Sequence, residues 1–177
     1  MSENQFRDSV CTVLQTSFPR NRIRTQGKLL YRLIVDGGGN LRPENYRNPR
    51  RDELCAFETD ILVSNESGSV PLVVIETKYG GLNTDDLLAY FAKASRHKEV
   101  YPHLRYGLLI GNRDKIEEKF FVHNTSFDFA LAVENIDSAS AEIIKLVGSQ
   151  IHAAESLLGV ERMERVRKYV ATVELTG

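Results

Sequence analysis

The sequence predicts an α/β sandwich around a mixed β-sheet, and three features of its pattern carry that expectation. Residues 54–64 (LCAFETDILVS) and 70–78 (VPLVVIETK) are strand-like runs joined by the turn Asn65-Glu66-Ser67-Gly68-Ser69. Helical periodicity stands before and after this pair. Residues 106–111 (YGLLIG) then form a short apolar run of the buried-strand type. The order is α-β-β-β-α-β, followed by one more strand and C-terminal helices, with helices flanking a central sheet.

Each element has a local reason. In residues 4–17, Phe6, Val10, Val13 and Leu14, with Cys11 nearby, share one helical face, and Pro19 ends the helix. Residues 28–35 (KLLYRLIV) have β character and lead into Asp36-Gly37-Gly38-Gly39-Asn40, a turn. Residues 41–52 are polar, with two prolines and several arginines, and read as a loop. Leu72, Val73, Val74 and Ile75 are apolar on both faces, so their strand belongs in the middle of the sheet. Residues 83–98 place Leu87, Leu88, Phe91 and Ala94 at helical spacing, with Asn83 or Thr84 as N-cap. Residues 127–133 (FDFALAV) predict a further strand, and a helical pattern runs from about 137 to 173 with a break expected around Gly159. The 177 residues suit a single domain, 1–177, with its core in about 4–135 and C-terminal helices in about 137–173.

The apolar share of 42% and charged share of 27% belong to the globular class, and no apolar run is long enough to cross a bilayer. The opening MSENQFRDSV lacks a secretory pattern, and Cys11 and Cys55 make neither a disulfide framework nor a zinc array. A cytoplasmic, reducing location is the expectation. The net charge of -1 conceals an asymmetry: residues 1–51 carry ten Lys/Arg against four Asp/Glu. Arg20, Arg22 and Arg24 form one cluster, and Arg42, Arg47, Arg50 and Arg51 another. Such an imbalance marks either a surface that faces a polyanion or a solvated loop with scattered arginines.

The chemistry concentrates at the end of the second strand. Its apolar run passes into Glu76-Thr77-Lys78, and charges there are costly unless they have partners or a task. Alternation puts Glu76 and Lys78 on one side. With the preceding turn centred on Gly68, pairing is symmetric about that residue, and Asp60 falls opposite Glu76. Two carboxylates so close resist ionising together, a conflict that a divalent cation resolves. Lys78 would stabilise negative charge and position a water, with its pKa pushed up by the acids. The plainer alternative is an Asp60–Lys78 cross-strand ion pair with Glu76 at a solvated strand end.

Thr59-Asp60 followed by Val73-Val74-Ile75-Glu76-Thr77-Lys78 resembles the PD-(D/E)XK nuclease superfamily, and the element order over roughly residues 4–112 is similar to its restriction-endonuclease-like αβββαβ core. Thr59 stands where that pattern has proline. The resemblance implies catalytic roles for Asp60, Glu76 and Lys78. It implies Mg²⁺, with Mn²⁺ able to substitute, held by Asp60, Glu76 and the Thr77 backbone carbonyl. Asp8 or Glu58 is a further candidate ligand, Asp8 and Glu3 being the acids that the first helix offers. Arg47, Arg50, Arg51 and Lys93 are the candidate nucleic-acid contacts. The implied activity is metal-dependent hydrolysis of DNA phosphodiesters in restriction or repair, by a homodimer or as part of a larger nuclease system. RNA stays open as a substrate. The alternative is a catalytically inactive module of this fold that binds nucleic acid or mediates assembly.

Other features carry less. The run from Asp36 to Gly39 lacks the GxxxxGK[ST] phosphate-loop pattern. His97, His103, His123 and His152 show no ligand spacing, and the charged stretch 161–168 reads as a solvated helix face or a dimer contact.

Overall fold

The computed structural model describes residues 1–41 and 55–161. The elements are α1 (Glu3–Ser17), β1 (Arg22–Leu30), β2 (Ala56–Ser64), β3 (Pro71–Tyr79), α2 (Thr84–Val100), β4 (Arg105–Gly111), α3 (Glu118–His123), β5 (Phe129–Val133) and α4 (Ile136–Glu161). The strands form a five-stranded sheet in the order β1-β2-β3-β4-β5. β1, β2 and β3 pair antiparallel, whereas β3-β4 and β4-β5 are parallel. The protein is thus α/β, with a mixed sheet flanked by helices.

β3 lies in the middle because both of its faces are apolar: every residue from Pro71 to Thr77 is buried. Val73 and Ile75 face the layer made by α1 and α4, where Phe6, Val10, Leu14, Ile143 and Val147 complete the packing. Val74 faces the other layer, where Leu87, Phe91 and Ala94 of α2 and Phe120 of α3 meet Tyr106, Leu108 and Ile110 of β4. Ser2 and Gln5 close a reciprocal cap at the start of α1. Asn83 caps α2 by accepting from the Asp86 amide at 2.7 Å. Among the described residues no helix is long and apolar enough to cross a membrane.

Two predicted elements differ from the structure, and one helix, α3, was not predicted. The first strand begins at Arg22 and ends at Leu30, rather than spanning 28–35. It is an edge strand whose exposed positions hold Arg22, Arg24 and Lys28, so the apolar run beside it was the stronger signal but the wrong one. Of that run, Val35 makes only a bridge to Leu41 across the Asp36–Asn40 turn. The helix after β5 runs unbroken through Gly159 to Glu161, since packing of Ile143, Val147, Ile151 and Ala154 outweighs one glycine near its end. The six-residue α3 is too short to show a helical period. The expected loop at 42–52 and the helical stretch from 162 to 173 lie outside the described residues.

Gly107 of β4 pairs with Phe129 of β5, and a Cβ added there would sit 2.3 Å from the Phe129 ring. Gly107→Ala is expected to lower the unfolding free energy by about 1–3 kcal/mol in urea denaturation. An unchanged midpoint would show that this ring is free to move aside.

Candidate functional site

The site forms where two pairs of strands part. Ile61↔Ile75, Leu62↔Val74 and Val63↔Val73 are paired symmetrically about Gly68, and the ladder shifts only at Ser64 and Pro71. Asp60 and Glu76 are the next residues beyond Ile61 and Ile75. From there β2 continues with β1 alone, through Thr59↔Gly27 to Ala56↔Leu30. β3 continues with β4, through Glu76↔Leu108 to Tyr79↔Gly111. Opposite Asp60, Gln26 adopts φ 53°, a left-handed conformation that strains a non-glycine residue by roughly 1 kcal/mol. This kink in β1 coincides with the point where β2 leaves β3.

Asp60 spans the opening. Its Oδ2 accepts from the Thr77 amide at 2.8 Å and from the Thr77 hydroxyl at 3.0 Å. A strand residue sends its N–H and C=O toward the same neighbour, so the Thr77 carbonyl also faces the gap that β2 has vacated. Asp60 is half-buried, whereas Glu76 is only 1% exposed. Oε1 of Glu76 accepts from the Tyr106 hydroxyl at 2.6 Å. Burial, and next the charge of Asp60, push the Glu76 carboxyl up to about 7, against the opposing pull of Lys93, the Tyr106 hydroxyl and the Asp60 backbone amide. Tyr90 is pushed far above its ordinary value, by burial first and then by Glu76 and Asp60.

Lys78 is on the same side of β3 as Glu76, but its ammonium is engaged elsewhere. It lies 2.9 Å from Asp86 of α2 and 3.4 Å from Glu3 of α1. The hydrogen bond to Asp86 raises its pKa, burial opposes that, and Glu3 adds to the rise. The rise expected from nearby acids is present, though Asp86 and Glu3 cause it rather than Asp60 and Glu76. The first helix contributes Glu3, whose Oε2 also accepts from the Tyr79 amide at 3.5 Å. Asp8 does not join the site: its carboxylate is 60% exposed and pairs with its neighbour Arg7 at 2.9 Å.

The remaining candidates occupy the rim. Glu58 is exposed, and its carboxylate accepts from Gln26 at 3.3 Å. Lys93 donates to the Glu58 backbone carbonyl at 3.4 Å and lies 6.0 Å from the centre of the Tyr90 ring. Arg47, Arg50 and Arg51 lie outside the described residues. Sequence reasoning missed Tyr106 and Asp86. Tyr106 supplies a polar atom to the otherwise apolar run 106–111, which was the available signal. Asp86 carried none, because acids are common in the first turn of any helix.

No protein-family model and no curated protein matches the chain. Among the described residues, no three His, Cys, Asp or Glu side chains cluster as a metal cage. Asp60, Glu76 and the Thr77 carbonyl are instead a small set of hard oxygen donors. Such a set suits Mg²⁺, which commonly binds through one or two carboxylates and fills its shell with water and phosphate oxygens.

The Glu76 carboxyl gives a pH-dependent signature. Its folded value of about 7 lies above the ordinary 4.5. Between those values the folded protein holds a proton that the unfolded chain has released, so stability falls as pH rises through this window. The cost above pH 7 is on the order of 3 kcal/mol. Glu76→Gln is therefore expected to stabilise the metal-free protein at pH 8, with the gain vanishing toward pH 4.5 in urea titrations. A gain of equal size at both pH values would contradict the burial of this carboxyl.

Proposed function

We propose that the chain is a metal-dependent nuclease of the PD-(D/E)XK type, hydrolysing DNA phosphodiesters at Asp60, Glu76, Thr77 and Lys78. The observation that carries this reading is the meeting of Asp60, Glu76 and the Thr77 backbone at the parting of β2 and β3. The order αβββαβ, with β1 to β3 antiparallel and β4 parallel to β3, supports a restriction-endonuclease-like core.

Asp60 would hold one side of the cation, with its carboxylate fixed by the Thr77 amide and hydroxyl. Glu76 and the Thr77 carbonyl would hold the other. A bound Mg²⁺ supplies a Lewis acid for the phosphate and lowers the pKa of a coordinated water. Lys78, shared between Asp86 and Glu3 in the free protein, has its ammonium at the same strand end, where a phosphate oxygen could compete for it. Lys93 adds positive charge beside Glu76. The exposed Arg22, Arg24 and Lys28 along the β1 edge, with Arg20 in the turn before it, are suited to backbone phosphates, as are Arg47, Arg50 and Arg51 in sequence. Cutting both strands of a duplex favours two copies related by a two-fold axis, or a partner nuclease subunit.

One observation favours a second reading, a catalytically inactive module that binds nucleic acid: the Lys78 ammonium contacts Glu3 and Asp86, with no hydrogen bond to Asp60 or Glu76. Plasmid digestion separates the two. Under the first reading Mg²⁺ or Mn²⁺ supports nicking or cutting, EDTA abolishes it, and Asp60→Ala, Glu76→Ala and Lys78→Ala each reduce the rate by about 100-fold or more. Salt-sensitive DNA binding with no cleavage under either metal would establish the second. Cutting that persists in EDTA would defeat the metal mechanism, and preferential cleavage of RNA would reassign the substrate.

A further inference from the structure

Several contacts hold Tyr106 in place. It is fully buried on β4, its Cα paired with Val74 in the parallel ladder. Its ring stacks with His97 at 5.7 Å and with Phe127 at 5.3 Å, with interplanar angles of 26° and 23°. Its backbone amide donates to the Asp128 carboxylate at 2.7 Å, and its carbonyl accepts from the Asp128 amide at 2.7 Å. Asp128 in turn is tied to Lys98 at 2.7 Å and to Arg105 at 2.9 Å. A phenol so held has one place to put its hydroxyl, and that place is Oε1 of Glu76 at 2.6 Å.

We infer that Tyr106 is a positioning residue for the metal site: its hydroxyl holds one oxygen of Glu76 and fixes the direction in which that carboxylate faces Asp60 and a divalent cation. The inference rests on the reading of Asp60 and Glu76 as metal ligands. A donor that orients a ligating carboxylate raises metal affinity by limiting the orientations lost on binding, and removing such a partner typically weakens metal binding 10–100-fold. A hydroxyl that merely satisfied a buried carboxylate would act differently. Its loss would leave Glu76 short of a donor, and the cation would bind equally well or more tightly.

The test is Mn²⁺ titration calorimetry on the wild type, Tyr106→Phe, Glu76→Gln and the double variant. Tyr106→Phe keeps the ring and its stacking. The expected result is about 10-fold weaker Mn²⁺ binding in Tyr106→Phe, with no further loss when that change is added to Glu76→Gln. Equal or tighter binding by Tyr106→Phe overturns the inference and leaves the metal site standing. Wild-type protein that takes up no Mn²⁺ defeats the metal reading itself and this inference with it.

A second measurement does not depend on the folding of Tyr106→Phe. The chain has seven tyrosines and no tryptophan, so its near-ultraviolet absorption reports the phenols directly. Mn²⁺ should produce a tyrosine difference band in the wild type that persists in Tyr79→Phe and Tyr90→Phe, the other tyrosines near the site among the described residues. No band in protein that binds Mn²⁺ would overturn the role given to Tyr106.

Discussion

The arrangement depends on one constraint: a central strand loses a neighbour while still buried. Up to Ile75, β3 is paired on both edges, but beyond it β2 turns away and the Thr77 amide loses its ladder partner. Thr77 is 1% exposed, and a buried donor left unpaired costs about 1–3 kcal/mol. The Asp60 carboxylate supplies the missing acceptor and adds a bond to the Thr77 hydroxyl. The backbone need that holds Asp60 in place also brings its charge toward Glu76. The raised pKa of Glu76 follows from burial and from that neighbour. Fold and electrostatics are therefore one problem at this point, because satisfying the strand end creates the acidic pair.

Local patterns made this centre legible in the sequence. Alternation along β3 and the turn at Gly68, which has φ 77°, set the register, and two elements close in sequence were enough to bring Asp60 to Glu76. The partners of Lys78 were less accessible, because Glu3 and Asp86 come from two helices on different layers. Glu3 could nevertheless have been preferred to Asp8. Asp8 is two residues after Phe6 and two before Val10, about 200° round the helix from each buried side chain, so it faces away from the sheet. Glu3 precedes Phe6 by three and shares its face. Tyr106 was hidden for another reason: its role needs the parallel pairing of β4 with β3, which no local pattern specifies. The edge strand β1 was misplaced because its burial alternates and its exposed side is basic, whereas the apolar residues after Leu30 are exposed at Leu33 and Val35.

The two layers meet chemically as well as structurally at the end of β3. α1 enters through Glu3 and α2 through Asp86, both bound to one ammonium, that of Lys78. Tyr106 connects Glu76 to the aromatic packing of His97 and Phe127 under α2. His97 is itself fastened to β1, its Nε2 lying 3.1 Å from the Leu29 carbonyl, and burial lowers its pKa to about 4, so it stays neutral near pH 7. A shift of α2 would thus disturb the ion pair of Lys78 and the support of Glu76 together. This coupling explains how side chains from five elements are kept in register around a gap in the sheet.

Charge balance bears on what such a gap can bind. Asp60, Glu76, Glu3 and Asp86 bring four carboxyl groups to the strand end, with Lys78 and Lys93 as the nearby ammonium groups. With every group ionised the surroundings of Asp60 are negative, which repels a bare phosphate and attracts a cation. Exposed cations also line the β1 edge, at Arg22, Arg24 and Lys28. A site that bound phosphate directly would place its positive charge in the gap itself. A negative gap beside a basic edge fits a division of labour in which the edge holds the polyanion backbone and a divalent cation joins one phosphate to the acids. That separation of charge distinguishes the proposed reaction from simple phosphate binding, and it arises from the strand geometry that puts Asp60 against Thr77.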